Sequence, residues 1–373
     1  MKKLIYLDNS ATTPLDKEVF KAMKPYFSNK FGNASTLYGL GLESRMAIEK
    51  AREQIAKAIN AEPEEIYFTS GGTESNNLII KNFDSVLTST IEHPAVLNTC
   101  RLRKNCEIVS VDKKGYVNLE ELKQKLNSKK INLVTIMHSN NEIGAIQQIE
   151  KIHKLCQEKN IPLHTDAVQS FGKVVLDTKN FEMLSLSAHK IYGPKGVGAV
   201  YINKKVKIKP LLIGGGQESG LRSGTENVPG IAGLGKATEM AIKNMEKDNL
   251  RISKLRDYLK NRVLKEIKDS WVNGGNNRLS GNIHFGFKGI EGEALILMLD
   301  EYGICASTGS ACSSKSLKSS HVLSAIGLKP EDSHGSLRIT IGKQNTKQEI
   351  DYVCEVLPKI VKKLREISSE YKG

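Results

Sequence analysis

The sequence predicts an α/β fold: a large, mostly parallel sheet flanked by helices, joined to a smaller α+β unit. Three observations predict it. Helical patterns and short apolar runs alternate through the first two thirds of the chain. One run, Ile-Asn-Leu-Val-Thr-Ile-Met-His at 131–138, groups its apolar residues instead of alternating them, as a strand covered on both faces does. The last third changes to strand, helix, strand and one long closing helix. Alternation of the first kind builds a parallel sheet with helices on both faces.

The elements follow in order. Residues 43–59 place Met46, Ile48, Ala51, Ile55, Ala58 and Ile59 at helical spacing. Glu-Ile-Tyr-Phe-Thr-Ser at 65–70 reads as a strand that breaks at Gly71-Gly72, and a helix starts near Thr73. After the strand at 131–138 come a helix at 149–159 and strands at 161–166, 181–187 and 197–202. Residues 235–262 are helical in pattern and carry the chain from one unit to the next. Strands at 280–287 and 336–341 flank a helix at 291–302. A helix from about 346 to 370 closes the chain, with Thr346 and Glu349 at capping-box spacing. The expected division is a large domain over 14–246 and a small α+β domain built from 1–13 plus 247–373.

The chain has 373 residues, which suits two domains better than one. No apolar run approaches the roughly 20 residues needed to span a bilayer. The start, Met-Lys-Lys-Leu-Ile-Tyr-Leu-Asp, lacks an extended apolar signal core, so the expected location is the cytoplasm with no membrane partner. Six cysteines (100, 106, 156, 305, 312, 354) include no CxxC pair, which argues against a zinc site or a disulfide framework. The net charge of +14 attracts acidic partners, but its lysines are spread along the chain with no aromatic-interleaved basic motif. Direct nucleic-acid binding is therefore not expected.

The chemistry centres on Lys190, in Ser-Leu-Ser-Ala-His-Lys-Ile-Tyr-Gly-Pro-Lys-Gly at 185–196. Upstream, His-Thr-Asp-Ala-Val-Gln-Ser at 164–170 puts Asp166 at the end of another strand. A lysine after one strand and an aspartate ending an earlier one suit pyridoxal 5'-phosphate (PLP). The amine forms a Schiff base with the cofactor aldehyde, and the carboxylate keeps the pyridine nitrogen protonated. Either residue alone would be an ordinary surface or loop residue. Gly72 and Thr73 open a helix whose free N–H groups favour an anion such as the cofactor phosphate. Ser187 and His189 flank Lys190 and are placed to donate to the same phosphate. Gln169, three residues after Asp166, is placed to reach the phenolic oxygen. His93, at a strand-to-helix junction in Ile-Glu-His-Pro-Ala-Val, reads equally as a junction residue or as a ring that stacks on the pyridine and moves protons.

Asn141, in His-Ser-Asn-Asn-Glu-Ile-Gly-Ala, ends a strand at the carboxyl edge of the sheet, where open α/β folds hold ligands. Arg338, in Gly-Ser-Leu-Arg-Ile-Thr, lies in a strand suited to packing and needs an anion; a substrate carboxylate would serve. Residues 305–320 are rich in serine and small residues and read as a mobile loop with Cys312 in its middle. A cysteine in such a loop is a candidate nucleophile, whereas Cys305, ending the preceding strand, reads as structural.

At these residues the chain closely resembles the cysteine desulfurases, the NifS/IscS-like branch of the class V aminotransferase-type PLP enzymes. The resemblance runs over essentially the whole chain. It rests on Tyr-Leu-Asp-Asn-Ser-Ala-Thr-Thr-Pro at 6–14, Thr-Ser-Gly-Gly-Thr-Glu-Ser-Asn-Asn at 69–77 and Met-His-Ser-Asn-Asn-Glu-Ile-Gly at 137–144. It continues through the Lys190 run to Arg-Ser-Gly-Thr-Glu-Asn at 222–227 and Ser-Thr-Gly-Ser-Ala-Cys-Ser at 307–313, the two segments most specific to this branch. The branch's usual Asn-Pro-Ser-Ser-x-His appears here as Asn33-Ala34-Ser35-Thr36-Leu37-Tyr38, without the proline and histidine.

The resemblance implies a fold type I PLP-dependent transferase in which Lys190 carries PLP. Asp166 would pair with the pyridinium, Gln169 bond the phenolic oxygen and His93 stack. Gly72, Thr73, Ser187 and His189 would hold the phosphate. Thr225 would reach the phosphate of the other subunit's site, making the active unit a homodimer. Asn141 and Arg338 would hold the carboxylate of L-cysteine. Cys312 would take the sulfur as a persulfide, leaving L-alanine, and its loop would swing out to a sulfur acceptor, either an iron–sulfur scaffold or a sulfurtransferase of another thiolation pathway. The rivals are an aminotransferase or selenocysteine lyase on the same fold, or a silent sulfur-carrying or scaffold-binding protein. The first needs no loop cysteine, and the last predicts loss of Lys190 or Asp166.

Overall fold

The computed structural model describes residues 4–309, 320–368 and 371. In chain order the elements are β1 (Ile5–Tyr6), α1 (Lys17–Met23), α2 (Gly39–Ile59), β2 (Ile66–Thr69), α3 (Gly72–Ile80), β3 (Ser85–Ser89), α4 (Pro94–Arg101), β4 (Asn105–Val109) and α5 (Leu119–Ser128). They continue with β5 (Leu133–Thr135), α6 (Ile149–Gln157), β6 (Leu163–Asp166), β7 (Met183–Ser187), β8 (Gly198–Ile202) and α7 (Val228–Glu266). The last are β9 (Ser270–Val272), β10 (Asn282–Phe287), α8 (Gly292–Glu301), β11 (Ile304–Cys305), α9 (His321–Ala325), α10 (Pro330–His334), β12 (Ser336–Thr340) and α11 (Lys347–Glu366).

Seven strands form the main sheet in the order β2-β8-β7-β6-β5-β3-β4. The run from β7 to β4 is parallel, while β8 is antiparallel to both of its neighbours. This is the mostly parallel sheet expected. Its strands β3, β5, β6, β7 and β8 are buried at every residue, as apolar runs between two helical layers require. A separate antiparallel sheet, β12-β10-β9, packs with α8 and α11, and β1 pairs with β11 beside it.

Two apolar clusters dominate. One contains Ile55 of α2, Phe68 of β2 and Leu186 of β7; the other contains Phe285 of β10, Leu295 of α8 and Leu357 of α11. The 39-residue helix α7 runs through both. Its Val228, Ile231, Leu234 and Ala237 belong to the first cluster, and its Ile252, Leu255, Leu259 and Val263 to the second.

Local chemistry explains the element ends. Thr346 caps α11 by accepting from the Glu349 N–H, and Glu349 Oε2 accepts from the Thr346 N–H at 3.1 Å, the reciprocal box the spacing predicts. Helix α2 stops where Asn60 turns left-handed, at φ 58°. Met46, expected on its apolar face, is exposed, while Ile48, Ala51, Ile55 and Ile59 are buried.

The expected strand at 131–138 keeps regular pairing only at Leu133–Thr135. Beyond it the chain still runs beside β6, since the N–H groups of Ile136 and His138 donate to the carbonyls of His164 and Asp166. That irregular stretch delivers Asn141 to the end of the sheet. The sequence predicts no strand for β1, β4 or β9, and has β3 only as the unbounded strand before His93; β3 reads Ser-Val-Leu-Thr-Ser and is fully buried.

Candidate active site

A cavity of about 440 Å³ opens at the carboxyl ends of β6 and β7. Ten of the twelve sequence-derived residues line it: Lys190, Asp166, Gln169, Gly72, Thr73, Ser187, His189, His93, Asn141 and Arg338. The position is that of ligand sites in open α/β sheets. Thr225 is exposed and is not among the cavity's lining residues, so it does not reach the site of its own chain. Cys312 lies outside the described residues.

Lys190 ends the short turn that follows β7. Its Nζ donates to the carbonyls of Ser10 and Ala11, at 2.5 and 2.7 Å, so the amine is held at a defined place on the wall. Asp166 ends β6 and is 6% exposed. Its Oδ2 accepts from Asn76 Nδ2 at 2.7 Å and its Oδ1 from the Val168 N–H at 3.0 Å, which fixes the carboxylate plane. Gln169 Nε2 donates to the Ser10 carbonyl at 3.0 Å, and its Oε1 is buried without a partner.

Helix α3 begins at the cavity with no side chain capping its N-terminus. A Cβ on Gly72 would lie 2.6 Å from Val168 Cγ2, so only glycine lets this helix end sit so close to the segment after Asp166. The first N–H groups of α3 and its positive dipole end are thereby presented beside Thr73, Ser187 and His189.

His93 and His189 are neutral by environment. Burial lowers His93 below its usual 6.5, against the opposing pull of Asp166, and the neighbouring Lys190 and His321 add to the lowering. His93 caps α4, with its Nδ1 accepting from the Ala95 N–H at 3.1 Å, which leaves the proton of the neutral ring on Nε2. Burial, helped by Lys190, Lys195 and Lys173, pushes His189 down to about 4, so it serves as a neutral partner; its Nδ1 lies 3.1 Å from Thr12 Oγ1.

Arg338 departs from its expected state. It is 2% exposed and already has an anion: Nη2 donates to Asp8 Oδ1 at 2.6 Å. Its Nη1 donates to the carbonyls of Asn141 at 3.1 Å and Gly309 at 3.4 Å, and its Nε is buried without a partner.

Several site residues carry no role in the sequence reading. Asn76 lies one turn beyond Gly72 on α3, and that spacing was available to find it. Ser10 and Ala11 act through carbonyls, which leave no side-chain signal. His321 lines the cavity and donates Nε2–H to the Glu92 carbonyl at 2.9 Å. Glu92 is buried, accepts from the Met137 N–H at 2.9 Å and is pushed up to about 8 by burial.

These residues fit PLP. The cavity combines an amine, a buried carboxylate steadied by two donors, a glycine-lined helix N-terminus and a buried amide oxygen still lacking a partner.

The comparisons agree. The aminotransferase class-V family model matches residues 5–353. A cysteine desulfurase IscS of Dictyoglomus turgidum is 50% identical over 383 residues, covering 99% of this chain and 97% of its own. One from Methanosarcina thermophila is 50% identical over 381 residues, covering 98% and 94%. A solved structure described as a NifS-like protein superposes with a TM-score of 0.91 at 37% identity, covering 97% of this chain and all of that one. Another, described as SspA in complex with cysteine, gives a TM-score of 0.79 at 36% identity, covering 91% and 99%. Fold and site thus define a class V aminotransferase-type enzyme, whose cofactor is PLP. Within that class, the chain belongs to the cysteine desulfurase family.

Proposed function

We propose that the protein takes sulfur from L-cysteine, releasing L-alanine and leaving a persulfide on Cys312. The observation that carries this reading is the convergence of Lys190, Asp166, His93, Asn141 and Arg338 on one cavity in a chain of this family. When bound, PLP supplies an electron sink for negative charge developing on the substrate carbons. Lys190 would hold it through its aldehyde, and the lysine amine is the group placed to move the proton at the substrate Cα. Asp166, oriented by Asn76 and the Val168 N–H, would keep the ring nitrogen protonated. Gln169 would meet the phenolic oxygen, and Gly72, Thr73, Ser187 and neutral His189 would hold the phosphate. His93 would stack on the ring, and its Nε2 is the atom placed to exchange protons.

Arg338 and Asn141 hold the substrate carboxylate. The Cys312 thiolate attacks the substrate sulfur: the new S–S bond forms as the Cβ–S bond breaks, and the carbon fragment keeps the electron pair and takes up a proton to become alanine. The persulfide then passes to an acceptor, an iron–sulfur scaffold or a thiolation sulfurtransferase.

The same reading makes the protein a cytoplasmic homodimer in which Thr225 completes the neighbouring site. The support is the exposure of Thr225 and of apolar Phe27, Phe31, Leu37 and Ile213. No helix among the described residues is long and apolar enough to cross a membrane. The division into 14–246 and 1–13 plus 247–373 is supported by the pairing of β1 with β11 and by the partition of α7 between two cores.

The test is incubation of the purified protein with L-cysteine and candidate acceptors, measuring alanine and following the sulfur. Alanine should form in step with sulfur transferred. Failure to make alanine from L-cysteine overturns the reading.

A further inference from the structure

The N-terminal segment 7–11 does more than complete a sheet edge. It is tied to β12: the Thr340 N–H donates to the Leu7 carbonyl at 2.7 Å, Asn9 Nδ2 to the Thr340 carbonyl at 2.6 Å, and the Ser10 N–H to Thr340 Oγ1 at 2.9 Å. Asp8 bridges to Thr340, two residues along the strand from Arg338 and on the same face. This registry sets the Asp8 carboxylate beside the Arg338 guanidinium, at 2.6 Å.

The two residues stand differently toward the cavity. Arg338 lines it and Asp8 does not. Asp8 therefore holds the guanidinium from outside the cavity lining. Nη1 is steadied by the carbonyls of Asn141 and Gly309, at 3.1 and 3.4 Å. Asp8 and these two carbonyls together fix the guanidinium plane of a residue that lines the cavity a ligand carboxylate enters. A long arginine side chain loses rotamer freedom when it binds. Holding its plane in advance removes that loss from the binding step.

We propose that Asp8 is a positioning residue: it locks Arg338 in the orientation that receives the α-carboxylate of the amino-acid substrate. The inference rests on the reading of Arg338 as the carboxylate-binding residue. It predicts a loss confined to ligands that carry a carboxylate.

The test uses the PLP-loaded enzyme and Asp8→Asn, which keeps the side chain's size and removes its charge. L-alanine is titrated against the absorbance of the bound cofactor, and ethylamine, which differs only in lacking the carboxylate, is titrated in parallel. Binding of L-alanine should weaken by about tenfold or more, the scale of a charge-assisted hydrogen bond, while ethylamine binds as before. KM for L-cysteine should rise by a similar factor, with kcat much less changed. Unchanged or tighter L-alanine binding overturns the proposal, the second result marking Asp8 as a competitor. Equal loss for both ligands also overturns it, because it signals general damage. If Asp8→Asn does not retain PLP, the same paired titration on Asp8→Glu decides, with the same selective loss expected. Arg338→Lys separates the two layers. If it loses L-alanine selectively while the Asp8 variant does not, Asp8 alone is wrongly assigned. If Arg338→Lys keeps L-alanine affinity, the reading beneath it fails.

Discussion

At the scale of single residues, the site depends on where three groups stand. The Lys190 amine is held by two carbonyls of the N-terminal segment. If it carries the cofactor, borohydride reduction should fix PLP to the peptide containing Lys190, and Lys190→Ala should leave no peptide labelled. Label on another lysine would move the assignment. Cys305, which ends β11, and Cys312 should behave differently. Burial, together with the charges of Asp300 and Asp8, raises the Cys305 thiol above its ordinary value, which keeps it protonated and a poor nucleophile. Cys305→Ser should therefore keep most activity. Cys312→Ser should still bind L-cysteine by absorbance yet form alanine at a rate lower by at least about a hundredfold, the usual order for losing a nucleophile. Mass spectrometry after one turnover should find an added sulfur on the Cys312 peptide; finding it on Cys305 would reverse the roles.

At the scale of elements, β6 carries the site and is braced by its own side chains. His164 lies two residues before Asp166 on the same face of the strand. Its Nδ1 is 2.8 Å from Thr135 Oγ1 on β5, and its Nε2 is 2.9 Å from Ser185 Oγ on β7. The ring thus links three strands just below the carboxylate. Burial pushes His164 down to about 3, so the folded protein resists protonating it while the unfolded chain protonates near 6.5. Below pH 6.5 the unfolded state then binds the extra proton. Stability from this group is complete above 6.5 and is lost as the pH falls toward 3, by up to about 1.4 kcal/mol per pH unit. His138 and His284, lowered by burial to about 4 and about 3, add to the same slope. Thermal melting between pH 7 and 4 should show a falling Tm, and His164→Gln should show a shallower fall. Parallel curves for parent and variant would dismiss His164 as a source. Replacing the ring by alanine should cost about 2–4 kcal/mol, from the cavity and the two hydroxyls left unpaired.

At the scale of the whole molecule, Thr225 is the informative residue because its own chain does not use it at the cavity. In a composite site, Lys190→Ala subunits mixed with subunits bearing a Thr225→Val change should recover activity. Each mixed dimer would hold one site with an intact Lys190 from one chain and an intact Thr225 from the other. Recovery after exchange, measured against the two unmixed variants, checks this. No recovery in dimers shown to have exchanged would place Thr225 outside the site.

Much of this was legible in the sequence. Helix positions follow from spacing and capping residues, so α11 and its Thr346 box were readable from a few neighbours. Lys190, Asp166 and the Gly71-Gly72 turn were readable because PLP chemistry needs those groups at the ends of strands, and strand ends are marked by local composition. The bounds and full burial of β3 were not, because its serines and threonine become core residues only through burial between neighbours distant in the chain. Three further facts were decided by tertiary structure alone. Arg338 looked like a charge waiting for an anion, yet residue 8, a neighbour only across the β12 junction, already supplies one. Lys190 is placed by carbonyls, which every residue has and no sequence distinguishes. Thr225 sits in a motif that looks like part of the site, but the fold turns it to the surface. Local sequence determines which groups exist and which element each one ends; which groups meet depends on contacts between segments far apart in the chain, and those are settled only when the sheets and α7 pack.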